Sequence, residues 1–252
     1  MEAAPATRTF CEKPHRHSTR TNPLLTVTHR TSPVLLASQP WLARLPQPLR
    51  TRVVDEVFTI KGGKGDVLLR AGEAVQGWYA VLSGLVKLQT QASDGRLSVF
   101  LGVAAGDWFG EGSALKLEKR RYEVVALRET ALMCLPLAVF EELRATSLEF
   151  NQALVMQMNK RLSQSMAVIE AGRVGSPQQR VALYLSRIFW HGMTRIELSQ
   201  EELGHLAGLS RQTVNKVLQR MQLDGLVAIN FGRITILNEP ALTALLTKTH
   251  SD

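Results

Sequence analysis

Read for where apolar positions fall, the chain divides into four stretches. Residues 1–30 carry no periodic hydrophobicity and are rich in Arg, His, Thr, Ser and Pro, which predicts a disordered basic tail. A short helical stretch is expected near residues 40–54. From 58 to 135, apolar runs of four to seven residues are punctuated by glycine, as in WYAVLSG (78–84), LVKLQTQASDG (85–95) and LSVFLG (97–102). Short strands separated by glycine turns predict a small all-β barrel or sandwich.

After residue 135 the period becomes helical. LAVFEEL (137–143) predicts a short helix, and Thr146 with Glu149 supplies a capping box for a longer one over 147–172, roughly 37 Å in length. Leu148, Val155, Leu162 and Ile169 recur every seven residues, and Asn151, Met158, Ser165 and Gly172 form an interleaved series. This pattern predicts a coiled-coil-like seam between two copies, with Leu148, Val155, Met158, Leu162 and Ile169 at the interface. The alternative is a helix buried against its own barrel, because a 3.6-residue period drifts by only ~20° per heptad. Gly172, Gly175 and Pro177 mark a hinge, and a helix follows over 177–190.

The strongest local signal lies in residues 198–226, LSQEELGHLAGLSRQTVNKVLQRMQLDGL. Ser199 and Glu202 predict a capping box that starts a helix at Gln200 and carries it to about Ala207. Gly208 permits a tight turn, and Ser210 caps a second helix from Arg211 to about Leu223. Gly204, Gly208 and Val214 meet the three needs of a helix-turn-helix: a small residue at the crossing, a left-handed turn residue and an apolar anchor. Val214, Val217, Leu218 and Met221 form an inward stripe. Ser210, Arg211, Gln212, Asn215, Lys216 and Arg220 then remain as the candidate DNA-binding set. Arginine can donate twice to guanine, and Gln or Asn can pair with both polar edge groups of adenine, while Ser210 and the flanking cations suit phosphates. Residues 226–237 predict a hairpin turning at Gly232, a wing with Arg233 near its tip.

Composition narrows this picture modestly. At 252 residues the chain can hold two modest domains, and its formal net charge of +8 favours a polyanionic partner without proving one. Only Cys11 and Cys134 are present, too few for a disulfide framework or a four-thiolate iron–sulfur site. All six histidines lie outside residues 31–172, so the barrel and long helix offer no imidazole to haem or to a barrel metalloenzyme. No constellation of nucleophile, base and orienter argues for an enzyme. Without an apolar signal core or a run of about 18 apolar residues, a cytoplasmic protein with no membrane partner is expected.

From residue 35 to about 245 the chain resembles the Crp/Fnr family of bacterial transcription regulators, of which the cyclic-AMP receptor protein is one. GDVLLRAGE (65–73), WYAVLSGLVKL (78–88) and AGDWFGEGSAL (105–115) look like the glycine repeats and phosphate cassette of cyclic-nucleotide-binding domains. The resemblance implies an α+β fold: an N-terminal double-stranded β-helix (jelly-roll) sensor barrel over 31–145, a dimerisation helix over 146–172 and a winged helix-turn-helix over 173–252. It implies a homodimer on a near-palindromic double-stranded operator, with RNA polymerase as a further candidate partner. Arg211, Gln212 and Lys216 match the base-contacting positions, and Gln212 stands where many members carry glutamate. Gly110, Glu111, Ser113 and Arg121 match the cassette, and Ser165 matches a base-touching residue of the long helix, so cyclic AMP or cyclic GMP is a candidate effector. Yet the chain continues Arg121-Tyr122-Glu123 where cyclic-AMP binders carry Arg-Ser-Ala. Glu123, about 7 Å along the same strand face, could pair with Arg121 or repel a phosphate. A cyclic nucleotide, another small effector and a purely structural barrel with constitutive DNA binding therefore all stay open.

Overall fold

The computed structural model describes residues 26–28, 33–91, 97–190, 194–230 and 232–247. Strand β1 (Thr26–Thr28) leads to three short helices, α1 (Pro33–Ala37), α2 (Pro40–Ala43) and α3 (Gln47–Glu56). Eight strands and one short helix form the barrel: β2 (Phe58–Gly62), β3 (Val67–Leu69), β4 (Gly77–Ser83), β5 (Leu85–Gln91), β6 (Leu97–Ala104), β7 (Trp108–Phe109), α4 (Glu111–Lys116), β8 (Glu123–Ala126) and β9 (Thr130–Pro136). They pair antiparallel into two sheets of order β1-β2-β9-β4-β7 and β3-β8-β5-β6, as expected of a double-stranded β-helix. β1 lies within the stretch read as a disordered tail. Three β-branched residues in a row favour extended backbone, and pairing Thr26 with Lys61 through Thr28 with Thr59 gives that backbone a ladder. The rest of the predicted tail, with Cys11, lies outside the described residues.

Helices α5 (Leu137–Thr146) and α6 (Leu148–Val174) follow. The N-cap of α6 is Ser147, whose hydroxyl accepts from the Phe150 amide at 3.1 Å, and not Thr146, whose hydroxyl donates back to the Glu142 carbonyl. Both residues carry the needed oxygen, and the helical carbonyl of α5 within reach of Thr146 decides between them. At 27 residues α6 is about 40 Å long. Its first turns sit on the barrel through Phe150 and Leu154, which join Trp41, Trp78, Trp108 and Phe140 in one apolar cluster. Phe150 stands edge-on to Trp41 at 5.0 Å and to Phe140 at 5.5 Å. Cys134 is buried in the barrel core, where burial pushes its thiol up to about 12, so it stays protonated and unreactive at neutral pH.

The helix expected over 177–190 is broken at Ser186 into α7 (Pro177–Leu185) and α8 (Arg187–Trp190), and the Trp190 indole donates to the Tyr184 carbonyl left free there. The remaining elements are β10 (Arg195–Glu197), α9 (Gln200–Ala207), α10 (Arg211–Leu223), β11 (Val227–Asn230), β12 (Arg233–Ile236) and α11 (Glu239–Thr247). The wing is a three-stranded sheet of order β10-β12-β11 where the sequence predicted a hairpin. β10 is three residues long with a single buried side chain, too short to show a strand period. Barrel residues and the cores of α7, α9, α10 and the wing form one continuous apolar cluster, so this unit is packed on the barrel as well as tethered to it. Among the described residues no helix is long and apolar enough to cross a membrane.

Candidate DNA interface and effector cleft

The helix-turn-helix is assembled by local chemistry. Ser199 and Glu202 make a reciprocal capping box, the Ser199 hydroxyl accepting from the Glu202 amide at 3.2 Å and the Glu202 carboxylate from the Ser199 amide at 2.7 Å. Gly208 ends α9 in the left-handed region at φ 65°, where a side chain would be strained. A Cβ on Gly204 would stand 2.8 Å from the Leu209 carbonyl oxygen, so only glycine lets the turn close over α9. Ser210 then caps α10 by accepting from the Thr213 amide at 3.1 Å.

On α10, Val214, Leu218 and Met221 are buried and Val217 is half-buried, while Arg211, Gln212, Lys216 and Arg220 are exposed or nearly so. Asn215 accepts from the Gln200 side chain at 3.0 Å, which ties it to α9. Arg220 reaches Asp224 one turn on, and Arg233 pairs with Glu197 at 2.8 Å. Among the described residues, Arg211, Gln212 and Lys216 present polar ends that make no hydrogen bond from one helical face, Arg211 feeling the Glu201 carboxylate at longer range, and Arg220 and Arg233 hold exposed ion pairs of the kind that exchange readily for a phosphate.

The face of α6 turned away from the barrel is apolar. Leu148, Val155, Leu162 and Ile169 are each more than half exposed and Met158 is 42% exposed, and Met166 lies on the same side. The second heptad series follows the first only in part, Met158 and Gly172 being exposed and Asn151 and Ser165 half-buried. Asn151 donates to the Arg144 and Ser147 carbonyls, and Ser165 turns into a cleft of the same chain.

That cleft has a volume of about 340 Å³ and lies between β5, β6, α4 and α6. Leu88, Phe100, Leu101 and Phe109 give it apolar walls, and Gly110, Glu111, Ser113, Arg121 and Ser165 all line it. Glu111 is buried. Among the described residues its Oε2 makes no well-formed hydrogen bond, although the Trp78 indole lies near enough to favour the carboxylate, and its Oε1 stands 3.9 Å from Nε of Arg161. Burial raises the Glu111 pKa despite the opposing guanidinium of Arg161. Arg161 is held by Gln164 at 2.7 Å and by the Trp108 carbonyl at 2.5 Å, leaving its Nε without a hydrogen bond to any described residue.

Arg121 is at the mouth, 74% exposed at its side chain and bonded to Glu118 at 3.0 Å. It does not pair with Glu123, which accepts from Gln89 across the sheet. Arg120 is the buried arginine, its guanidinium 5.0 Å over the Tyr79 ring and its Nη1 unpartnered among the described residues. Sequence reading missed both Arg120 and Arg161. The alternation of β8, run back from Val124 through Tyr122, points Arg120 inward, and Arg161 lies one helical turn before Ser165, so both signals were present.

Comparison with known proteins agrees with this geometry. Residues 61–147 match the model of the cyclic nucleotide-binding domain and residues 179–245 that of the Crp-like helix-turn-helix domain. The fumarate and nitrate reduction regulatory protein of Salmonella typhimurium is 27% identical over 197 residues, covering 75% of this chain and 78% of that protein. Among solved structures, FixK2 from Bradyrhizobium japonicum aligns with a TM-score of 0.63 at 20% identity, over 76% of this chain and 98% of that one. A Crp/Fnr-family transcriptional regulator from Thermus thermophilus aligns with a TM-score of 0.54 at 24% identity, over 75% and 98%. A nucleotide-cassette barrel, a long helix with an apolar outer face and a complete helix-turn-helix, met in this order along one chain, place it in the Crp/Fnr family of transcription regulators.

Proposed function

We propose that two copies pack along the exposed stripe of α6 and present their α10 helices to successive major grooves of a near-palindromic operator, about 34–36 Å apart. The observation that carries this is the outward, exposed row Arg211, Gln212 and Lys216 on a helix whose opposite side is packed through Val214, Leu218 and Met221. In this reading Arg211 and Gln212 contact base edges, while Ser210, Lys216, Arg220 and Arg233 hold phosphates and Asn215 braces the helix pair. The protein acts in the cytoplasm, where the DNA is, without enzymatic chemistry, and sets transcription by recruiting or excluding RNA polymerase. Binding-site selection on the wild type and on Gln212→Glu tests the assignment. The variant is expected to exchange adenine for cytosine preference at one position per half-site, and an unchanged selected motif would refute the role of Gln212.

The barrel is read as the sensor. A buried Glu111 carboxylate with only a marginal indole contact and an Arg161 Nε without a hydrogen bond, between apolar walls, support a small ligand that carries a hydroxyl donor, an anionic group and a flat apolar part. Cyclic AMP and cyclic GMP have all three. Glu111 would accept from a ribose hydroxyl and Arg161 would meet the charge, with Ser165 near the base. Calorimetric titration is expected to give saturable heat with one of them, weakened about tenfold or more in Arg161→Ala by loss of a charge-assisted hydrogen bond. Heats of dilution alone would remove cyclic nucleotides. The constitutive alternative draws on the same contact, since Arg161 beside Glu111 already neutralises the site in part.

A further inference from the structure

Glu202 is more buried than its capping role requires. Its side chain is 8% exposed, and besides the Ser199 amide it takes a two-pronged contact from Arg128, Nε to Oε1 at 2.8 Å and Nη2 to Oε2 at 2.7 Å. The same Nη2 donates to the Glu197 carbonyl at 2.6 Å. Arg128 belongs to the barrel, in the turn between β8 and β9, and the buried Thr130 hydroxyl lies 2.9 Å from its carbonyl oxygen. The first helix of the helix-turn-helix is thus pinned at its N-terminus to the sensor. Beside this pin, Leu206 of α9 fills the space over Gly102 of β6, where a Cβ would meet it at 2.7 Å. Lys64 adds an exposed pair with Glu201 at 3.0 Å. The strand that ends at this turn, β8, begins directly after Arg121 and Tyr122, which line the effector cleft.

We infer that Arg128 is a positioning residue for DNA binding: its contact with Glu202 and Glu197 fixes the angle of the helix-turn-helix on the barrel, and so the spacing between the two α10 helices of a dimer. The inference rests on the proposed reading of α10 as the DNA-contacting helix. A planar two-pronged contact constrains orientation as well as distance. Without it only the apolar packing and the exposed Lys64–Glu201 pair hold the DNA-reading unit to the barrel, and its orientation about the Gly175–Ser176 break between α6 and α7 is less sharply fixed. The second half-site is then met by a spread of orientations, which lowers its effective concentration without changing how one α10 reads one half-site.

Three readouts test this: affinity for the selected full site, affinity for a single half-site, and affinity for a full site lengthened by two base pairs, each with Arg128→Gln and Glu202→Gln in the full-length dimer. Glutamine at 202 still completes the capping box but gives up the charge pair. Both variants are expected to lose about tenfold on the full site, to keep half-site affinity within about twofold, and to discriminate less against the lengthened site. An unchanged ratio of full-site to half-site affinity overturns the inference, as does a parallel fall of both or a rise in full-site affinity. Should Arg128→Gln melt below the assay temperature, Glu202→Gln decides alone. Failure of the wild type to prefer the selected site over a scrambled duplex would instead strike the DNA-reading assignment, so the two failures are distinguishable.

Discussion

A chain carrying Val155→Glu and Leu162→Glu is expected to be a folded monomer that no longer holds a palindromic operator. In the single chain both side chains are more than half exposed, at 63% and 60%, so replacing them costs the protomer little, within about 0.5 kcal/mol. In a dimer joined along α6 the same positions face their symmetry mates. Four apolar side chains, each contributing about 1.5–3 kcal/mol on burial, are lost, and four carboxylates are brought together. Dimer dissociation should rise by at least a thousandfold, about 4 kcal/mol. With the two readers unlinked, the second half-site is no longer met intramolecularly, and operator affinity should fall at least a hundredfold. Light scattering after size exclusion reads the mass, a mobility-shift titration reads the affinity, and thermal unfolding checks the protomer. A dimer that survives both substitutions would mean that α6 is not the interface.

Arg211→Ala is expected to remove most sequence discrimination while leaving non-specific attraction in place. A good two-pronged base contact is worth about 1–3 kcal/mol, and a palindrome uses two of them, so selected-site affinity should fall by about thirtyfold or more. Affinity for a scrambled duplex should change far less. Arg220→Ala supplies the contrast, because a phosphate contact weakens selected and scrambled duplexes alike and lowers the salt dependence by about one counterion per half-site. Equal losses on the two duplexes for Arg211→Ala would reassign it to the backbone-contacting set.

The parts of the structure that follow from neighbouring residues were readable in advance. Helices α9 and α10 begin and end where Ser199, Gly208 and Ser210 place them, since a hydroxyl cap or a glycine turn acts within three or four residues. The apolar outer stripe of α6 follows from a seven-residue spacing in the same way. Errors entered where two neighbours could do the same job. Thr146 and Ser147 both offer a hydroxyl to α6, and packing gave the cap to Ser147, while of the neighbouring arginines Arg121 stays at the mouth of the cleft and Arg120 is buried over Tyr79.

By itself, then, the sequence determined most of the kinds of element and their order, the helix-turn-helix and the exposed apolar stripe of α6, because all of these rest on local periodicity and capping. Only the tertiary structure decided that β1 closes a sheet edge, that Arg161 faces Glu111 inside the cleft, and that Arg128 grips Glu202 from 74 residues away. Those contacts join groups on separate elements. Their existence depends on how the sheets twist and which helix face is covered, and no local spacing along the chain encodes either.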